Sequence, residues 1–207
     1  MADRKHGAQP APTDTEIRRE DWYGLDLSGQ KHERVAFVDV DLTETTATGA
    51  AFTDCTFRDC RFNAAAFADA AFVNCTFVNS SFFEAAFTNC KLMGSMFDRC
   101  SFGLLAVEGG DWSFAGLPGA DLRKCRFVGV RLREADLTGA RLTNAVVQDC
   151  DLSGAWLHSA DLSGADLRGS DVSTIDPLVT PLKAAIVDVE QAVVLMSTFG
   201  VQVRPGR

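Results

Sequence analysis

From residue 27 to residue 172 every fifth position is apolar, and the phase never slips. Twelve of these thirty positions are Phe, twelve Leu, three Val and one Trp; only His32 and Ala47 depart. On an α-helix a five-residue step turns about 500°, so such residues would wind around the surface and line no single face. On an unbroken strand they would alternate between faces, because the side-chain period there is two. The pattern is satisfied by a chain that turns a corner every five residues and points one large side chain inward each time. It predicts a solenoid.

A second register agrees. Two residues before each large one, from position 50 to position 170, stand twelve Ala, seven Cys and three Ser, with Leu105, Gly110 and Val130 as exceptions. Residues two apart on a short extended segment share a face. Each side of the coil therefore supplies one large and one small inward residue, which lets the interior close without voids. In the second half the third turn position holds Gly129, Gly139, Gly154 and Gly164, as a turn requiring positive φ demands. In the first half Asp54, Asp59, Asn74, Asn79 and Asn89 take that slot, suiting a type I corner or a left-handed Asn. Residues 103–119, with Gly109, Gly110 and Pro118, are expected to bend or loosen the coil. Val73, Met93, Met96, Phe114 and Trp156 fall off the inward register and are expected on the surface, as a partner site or as local packing.

The beat divides the chain into three parts. Residues 1–20 are polar, with Pro10 and Pro12, and read as a disordered lead-in. Residues 21–176 form the repeat, with Trp22 already in phase. After Val172 the phase is expected to fail at Pro177, and residues 177–207 form a cap. There Asp188 and Gln191 have the spacing of a capping box, and Gly200 is a stop signal. Val189, Ala192, Val193, Met196 and Phe199 recur at three- and four-residue steps on one helical face. A solenoid leaves its last coil open, so this helix serves as a lid, and the amount of apolar surface favours a lid that also joins two chains. The candidate dimer interface is Val172, Ile175, Leu178, Leu182, Ile186, Val189, Val193, Met196 and Phe199.

Composition narrows the chemistry. Fifteen Phe stand against one Tyr, as expected of aromatics that fill a core and need no polar handle. All seven cysteines fall on the small inward register, their number is odd and no CxxC occurs, so they read as inert core thiols in a reducing cytoplasm. No charged leader followed by an apolar run is present, and no apolar stretch approaches a membrane span. The three histidines, His6, His32 and His158, share no motif, and no phosphate loop, H-E-x-x-H or G-x-S-x-G pattern occurs. Carboxylates on a convex rod lack the cleft that would tune an acid or base. No catalytic, cofactor or metal residues are expected.

The unit, as in Ala160-Asp161-Leu162-Ser163-Gly164 and Ala165-Asp166-Leu167-Arg168-Gly169, resembles the A-(D/N)-L-x-x motif of pentapeptide-repeat proteins. That resemblance implies an all-β solenoid, a right-handed quadrilateral β-helix with four units per coil. The Phe-rich first half, Ala120-Asp121-Leu122-Arg123-Lys124-Cys125, and the tail from Asp176-Pro177 through Val187 to Ala192 are similar to the MfpA group of actinobacteria within the MfpA/Qnr proteins. That likeness covers nearly everything after residue 20. It implies a homodimeric rod joined at its C-terminal ends that binds DNA gyrase by imitating duplex DNA, inhibits it and lessens fluoroquinolone action. It implies no direct nucleic-acid binding and no membrane. Loops that interrupt the coils in Qnr proteins are tied to rescuing gyrase from drug, and this chain has no such insertion, so inhibition carries over more directly than protection. The alternative is a scaffold protein with a different partner.

Shape supports mimicry better than charge does. At a rise near 4.8 Å, thirty units make a rod of roughly 36 Å. Residues 22–176 hold 21 acidic and 13 basic side chains, a net of −8. Duplex DNA of that length carries roughly 21 negative charges. Residues 39–121 hold 11 acids and 4 bases, residues 123–141 hold 2 acids and 6 bases, and residues 147–176 hold 6 acids and 1 base. The candidate gyrase contacts are Asp111, Asp121, Asp151, Asp161, Asp166 and Asp171, the last four clustering near the dimer axis if the C-terminal ends meet. Asp151 and Asp171, twenty apart, are expected on one face, and Asp161 and Asp166 on others.

Overall fold

The computed structural model describes residues 10–204, in which each five-residue unit makes one side of a square coil and four units close a turn. Every ladder is parallel and joins residues twenty apart. The first face stacks β1 (Thr15–Arg18), β3 (Val35–Val38), β6 (Thr56–Arg58), β9 (Thr76–Val78) and β11 (Met96–Asp98), and bridges carry it through Gly116, Asp136 and Trp156. The second face is made of bridges alone, Asp21 to Ser101 and then Asp121, Arg141 and Asp161. The third stacks β4 (Thr46–Thr48), β7 (Ala66–Ala68), β10 (Ala86–Thr88), β12 (Ala106–Glu108), β13 (Arg126–Val128) and β14 (Val146–Gln148), and continues through Asp166 to Ile186. The fourth stacks β2 (Lys31–Glu33), β5 (Ala51–Thr53) and β8 (Ala71–Val73), continued by Lys91, Asp111, Arg131 and Asp151. The molecule is a quadrilateral β-solenoid closed by one helix.

The corners explain the choice of turn residues. Asp54, Asn74 and Asn89 have φ of +53°, +53° and +52°, and Gly129 and Gly154 have +65° and +69°. Both halves thus use one left-handed corner, filled by Asp, Asn, Gly and several longer side chains such as Arg34 and Glu134. A neighbour above or below distinguishes otherwise equal glycines. Gly49 and Gly94 share φ of +66° and +67°, yet a Cβ on Gly49 would meet nothing within 4 Å while one on Gly94 would lie 2.5 Å from Asn74 Oδ1. Gly49→Ala is expected to cost about 1–2 kcal/mol from the left-handed backbone alone. Gly94→Ala adds the displacement of Asn74, about 0.5–1.5 kcal/mol more. Urea unfolding of the two variants tests this, and equal midpoints would refute the Asn74 contact.

Inside, the large register forms ring columns. Phe37, Phe57, Phe77 and Phe97 stack nearly parallel at centroid spacings of 4.6, 4.9 and 4.7 Å. Neighbouring columns meet them edge-on, as Phe62 and Phe82 meet Phe77 at 5.8 and 5.4 Å. Trp112 stacks on Phe97 at 6.0 Å and meets Phe127 edge-on at 6.0 Å, and beyond Phe127 leucines make up most of the large core residues. Its indole nitrogen is buried without a hydrogen-bond partner. His32 is held in the column register by stacking on Phe52 at 5.2 Å.

Several expectations change. The ordered coil begins before residue 21: β1 pairs with β3 in register Thr15 to Val35, and Arg34 reaches back to Asp14 at 2.7 Å. Residues 1–9 of the expected lead-in, with His6, lie outside the described residues. The beat also outlasts Val172. Pro177, Leu182 and Val187 continue the large register and Thr180 and Ala185 the small one, with Leu162 N donating to Pro181 O at 3.0 Å and Leu167 N to Ile186 O at 2.8 Å. In regular units the amide of the large residue donates to a carbonyl nineteen residues on. Position 177 has no further coil to bond, so a proline there forfeits nothing.

Residues 103–119 keep strict register and do not loosen. Met96 is buried because Gly116 lacks a side chain where the Met96 thioether lies, and Gly103 is where Phe83 leans across the next coil. These glycines make room for packing and do not mark flexibility.

The helix α1 (Val189–Thr198) starts with the expected capping box: Asp188 Oδ1 accepts from Gln191 N and Gln191 Oε1 from Asp188 N, both at 2.8 Å. Gln191 Nε2 then donates to Leu167 O at 2.6 Å and Ser170 O at 2.7 Å, tying the helix to main-chain carbonyls at the end of the coil.

Candidate functional site

The outward slot before each large residue is where the candidate carboxylates lie, and the local turn explains why Asp is frequent there. Its Oδ1 accepts the amide two residues on: Ser113 N to Asp111 and Thr138 N to Asp136 at 3.0 Å, Ser163 N to Asp161 and Ser173 N to Asp171 at 2.9 Å. Every candidate Asp is therefore first a turn residue.

The fold distributes the six candidates over three faces. Asp111, Asp151 and Asp171 share the fourth face, with Asp171 N donating to Cys150 O at 2.9 Å directly above Asp151. Asp121 and Asp161 are on the second face and Asp166 on the third.

Arginines neutralise several of them. Arg123 grips Asp121 with two bonds of 2.7 Å and Arg141 adds a third at 2.9 Å. Arg131 binds Asp111 at 2.7 Å, and Arg168 grips Asp166 at 2.9 and 2.6 Å. Arg133 approaches Asp151 at 3.9 Å. Asp161 and Asp171 have no ion pair among the described residues.

The pKa directions follow. The Arg123 hydrogen bond holds Asp121 below its usual range, and Arg168 does the same for Asp166. For Asp111 burial pushes upward, but Ser113 and Arg131 together outweigh it and hold the carboxyl low. Asp161 is lowered by the Ser163 side chain and amide. Exposed pairs of this kind contribute about 0.2–1 kcal/mol each to stability. Their larger effect is on the field. Five of the six bases in residues 123–141 lie within 4 Å of a carboxylate, all but Lys124, so the basic stretch becomes cross-coil pairs and not a positive band.

The dimer candidates divide. Val172 and Ile175 are buried inside the coil, because they continue the large and small registers, and Leu182 packs against that core. They belong to no surface. Leu178, Ile186, Val189, Val193, Met196 and Phe199 are exposed at the C-terminal end. The helix seats Gln191 and Leu195 on the coil, so the regularly spaced apolar stripe read from the sequence is largely the side turned outward.

The thiols lie on the inward register. Each inward Sγ donates to main-chain carbonyls, as Cys60 to Phe37 O and Arg58 O. Burial pushes Cys60, Cys90, Cys125 and Cys150 up to about 11 and the half-buried Cys100 to about 12. Cys55 alone is lowered, by its hydrogen bond with Cys75, whose own thiol burial raises. Among the described residues no group of three or more His, Cys, Asp or Glu could hold a metal ion, and no helix is long and apolar enough to cross a membrane. Two open grooves of about 560 Å³ each lie on the surface, one floored by Gly109, Gly110 and Gly129, the other beside Gly103 and Arg123.

Reading by faces exposes what reading along the chain missed. Asp136 and Trp156 are bridged neighbours on the first face, twenty residues apart, with Glu134 on the corner leading into it and Asp176 a further twenty residues on. Counting the sequence modulo twenty is the signal that finds them.

Residues 117–154 and 135–173 match the family model for pentapeptide repeats, and residues 15–102 match the model for the SV2A/B/C luminal domain. No curated protein matches the chain. Among solved structures, a trypsin-treated variant of QnrB1, a plasmid-mediated fluoroquinolone resistance protein, aligns with a TM-score of 0.60 at 22% identity over 93% of this chain and 97% of its own. Full-length QnrB1 aligns at 0.53 and 22% identity, covering 90% of this chain and 100% of its own. HetL, a pentapeptide-repeat protein involved in heterocyst differentiation regulation in the cyanobacterium Nostoc, aligns at 0.52 and 21% identity over 86% and 87%. At these identities the likeness is one of fold. With four-sided coils and a five-residue beat along the described chain, and the family match over residues 117–173, the chain has the repeat and the fold of pentapeptide-repeat proteins.

Proposed function

We propose that this protein is a binding protein and not an enzyme, and that it inhibits DNA gyrase from the cytoplasm by occupying the site of duplex DNA as a dimeric rod. The observation that carries the reading is an acidic solenoid unbroken by any loop, ending in an exposed apolar helix face. Two copies joined at that face make a rod of roughly 70 Å or more at about 4.8 Å per turn, long enough to fill a DNA-binding saddle. Negative charge on the rod steers it toward a basic surface. The description of QnrB1 as a fluoroquinolone resistance protein supports the same target class. Lessened fluoroquinolone action is the expected consequence in cells.

Of the candidate contacts, Asp161 and Asp171 are the freest, while Asp111, Asp121, Asp151 and Asp166 must exchange or share arginine neighbours to reach a partner. Purified protein is expected to abolish gyrase supercoiling at near-stoichiometric dose. Reversal of Asp151 and Asp171 to Lys is expected to raise the half-inhibitory concentration about tenfold in a protein that stays folded but is less stable by the two lost turn bonds. Full supercoiling in the presence of excess folded protein would reject the proposal. The second reading, a scaffold with another partner, is favoured by the likeness to HetL, whose description is regulatory.

A further inference from the structure

Basic residues are unevenly shared among the faces. In the C-terminal half the second face carries Arg123 and Arg141, the third Arg126 and Arg168, and the fourth Arg131 and Arg133. The first face, residues 115–119, 135–139, 155–159 and 175–179, carries no lysine or arginine. It holds Asp136 and Asp176, with Glu134 on the corner leading into it and His158 beside them.

Trp156 stands in the middle of this face. Its slot is the one that Asp fills in other units, where the carboxylate accepts the amide two residues on. A tryptophan cannot make that turn bond. The side chain remains 42% exposed and directly above Asp136, which is only 8% exposed. Among the described residues the indole has neither a ring contact nor a hydrogen bond; the other two tryptophans, Trp22 and Trp112, both pack with aromatic rings. Thus Trp156 forgoes the turn bond that an Asp would make there and leaves 42% of its surface exposed.

An exposed tryptophan on a face that carries carboxylates and no lysine or arginine is complementary to arginine. A guanidinium would stack on the indole plane while its N–H groups reach the more accessible carboxylates on or beside the same face, Glu134 and Asp176. We propose that the first face of the C-terminal half is the docking surface for a basic protein surface, with Trp156 as the anchor that receives an arginine. The proposal rests on the gyrase reading for the identity of that surface and names the face and the side chain that meet it. Central aromatic anchors of this kind dominate binding energy at protein interfaces.

The test has two arms. In supercoiling assays Trp156→Ala is expected to raise the half-inhibitory concentration at least about tenfold with an unchanged urea midpoint, while Arg126→Ala on the third face stays within about twofold. Inhibition by the wild type that Trp156→Ala leaves intact would overturn the docking face and spare the inhibitor reading. In the second arm hexa-arginine peptide is titrated into ¹⁵N-labelled protein. The Trp156 indole resonance is expected to shift, and affinity to fall in Trp156→Ala and Glu134→Gln. This result, with no inhibition of gyrase by the wild type, would support the docking face and reject gyrase as its partner. A hexa-arginine titration that leaves the Trp156 indole resonance unmoved would overturn the docking face whatever the enzyme assay shows.

Discussion

A chain carrying Val193→Asp and Met196→Asp is expected to run as a monomer in size-exclusion chromatography with light scattering, and to lose gyrase inhibition by more than about tenfold. Both side chains point away from the coil, with Val193 42% and Met196 40% exposed, whereas Gln191 and Leu195 on the same helix point into it. The substitutions therefore spare the capping box and the bonds from Gln191 to Leu167 and Ser170. On a monomer two aspartates at these sites meet only water. Across a twofold interface they bring four unpaired carboxylates into an apolar contact, and each buried unpaired charge costs several kcal/mol, on the order of the whole association energy. Unchanged stability with a halved mass is the decisive pair of readings. A wild type that is itself monomeric at assay concentration would remove the dimer from the proposal, and a variant that remains dimeric would place the interface elsewhere.

Phe77→Ala is expected to lower stability by about 3–5 kcal/mol, measured as a shift in the urea midpoint. Phe77 is fully buried and lies between Phe57 and Phe97 in a continuous stack, with edge contacts from Phe62 and Phe82. Its neighbours are fixed by backbone ladders above and below, so the column cannot collapse into the space left, and the cost falls at the upper end of such substitutions. Because each coil rests only on its neighbours, the break is local in origin but divides the rod into two shorter stacks. A variant as stable as the wild type would contradict the column.

The five-residue beat was enough to place Phe77 in the core and Gly129 at a left-handed corner, because the inward direction of each large residue and the sign of φ at each turn are local properties. It was also enough to foresee the capping box at Asp188 and Gln191, whose partners are three residues apart. The ends were harder to read. Thr15–Arg18 looks like polar lead-in, yet it is ordered by pairing with Val35–Val38, twenty residues away. Pro177 looks like a break, yet it occupies a side of the last coil where no amide is required. In the first case local polarity was outweighed by a long-range ladder, and in the second the proline was tolerated because no amide was needed.

The candidate contacts show the same division. Asp at positions 111, 121, 151, 161, 166 and 171 is visible in the sequence as a recurring outward residue. Which of these charges reaches solvent unpaired depends on arginines two or twenty residues away and on the rotamers that join them, as at Asp121 between Arg123 and Arg141. The exposed side of the helix likewise depended on docking, which chose Leu195 over the more regular stripe through Val193 and Met196.

By itself, then, the sequence determined the rod: its period, its packed interior and its corners, all of which follow from where one large side chain must go every five residues. Only the tertiary structure decided the surface, including the pairing of Asp with Arg, the bare apolar side of the helix and the cation-free face around Trp156. The reason is geometric. A coil of twenty residues makes neighbours of groups that are remote along the chain, and a binding surface is built from those neighbours.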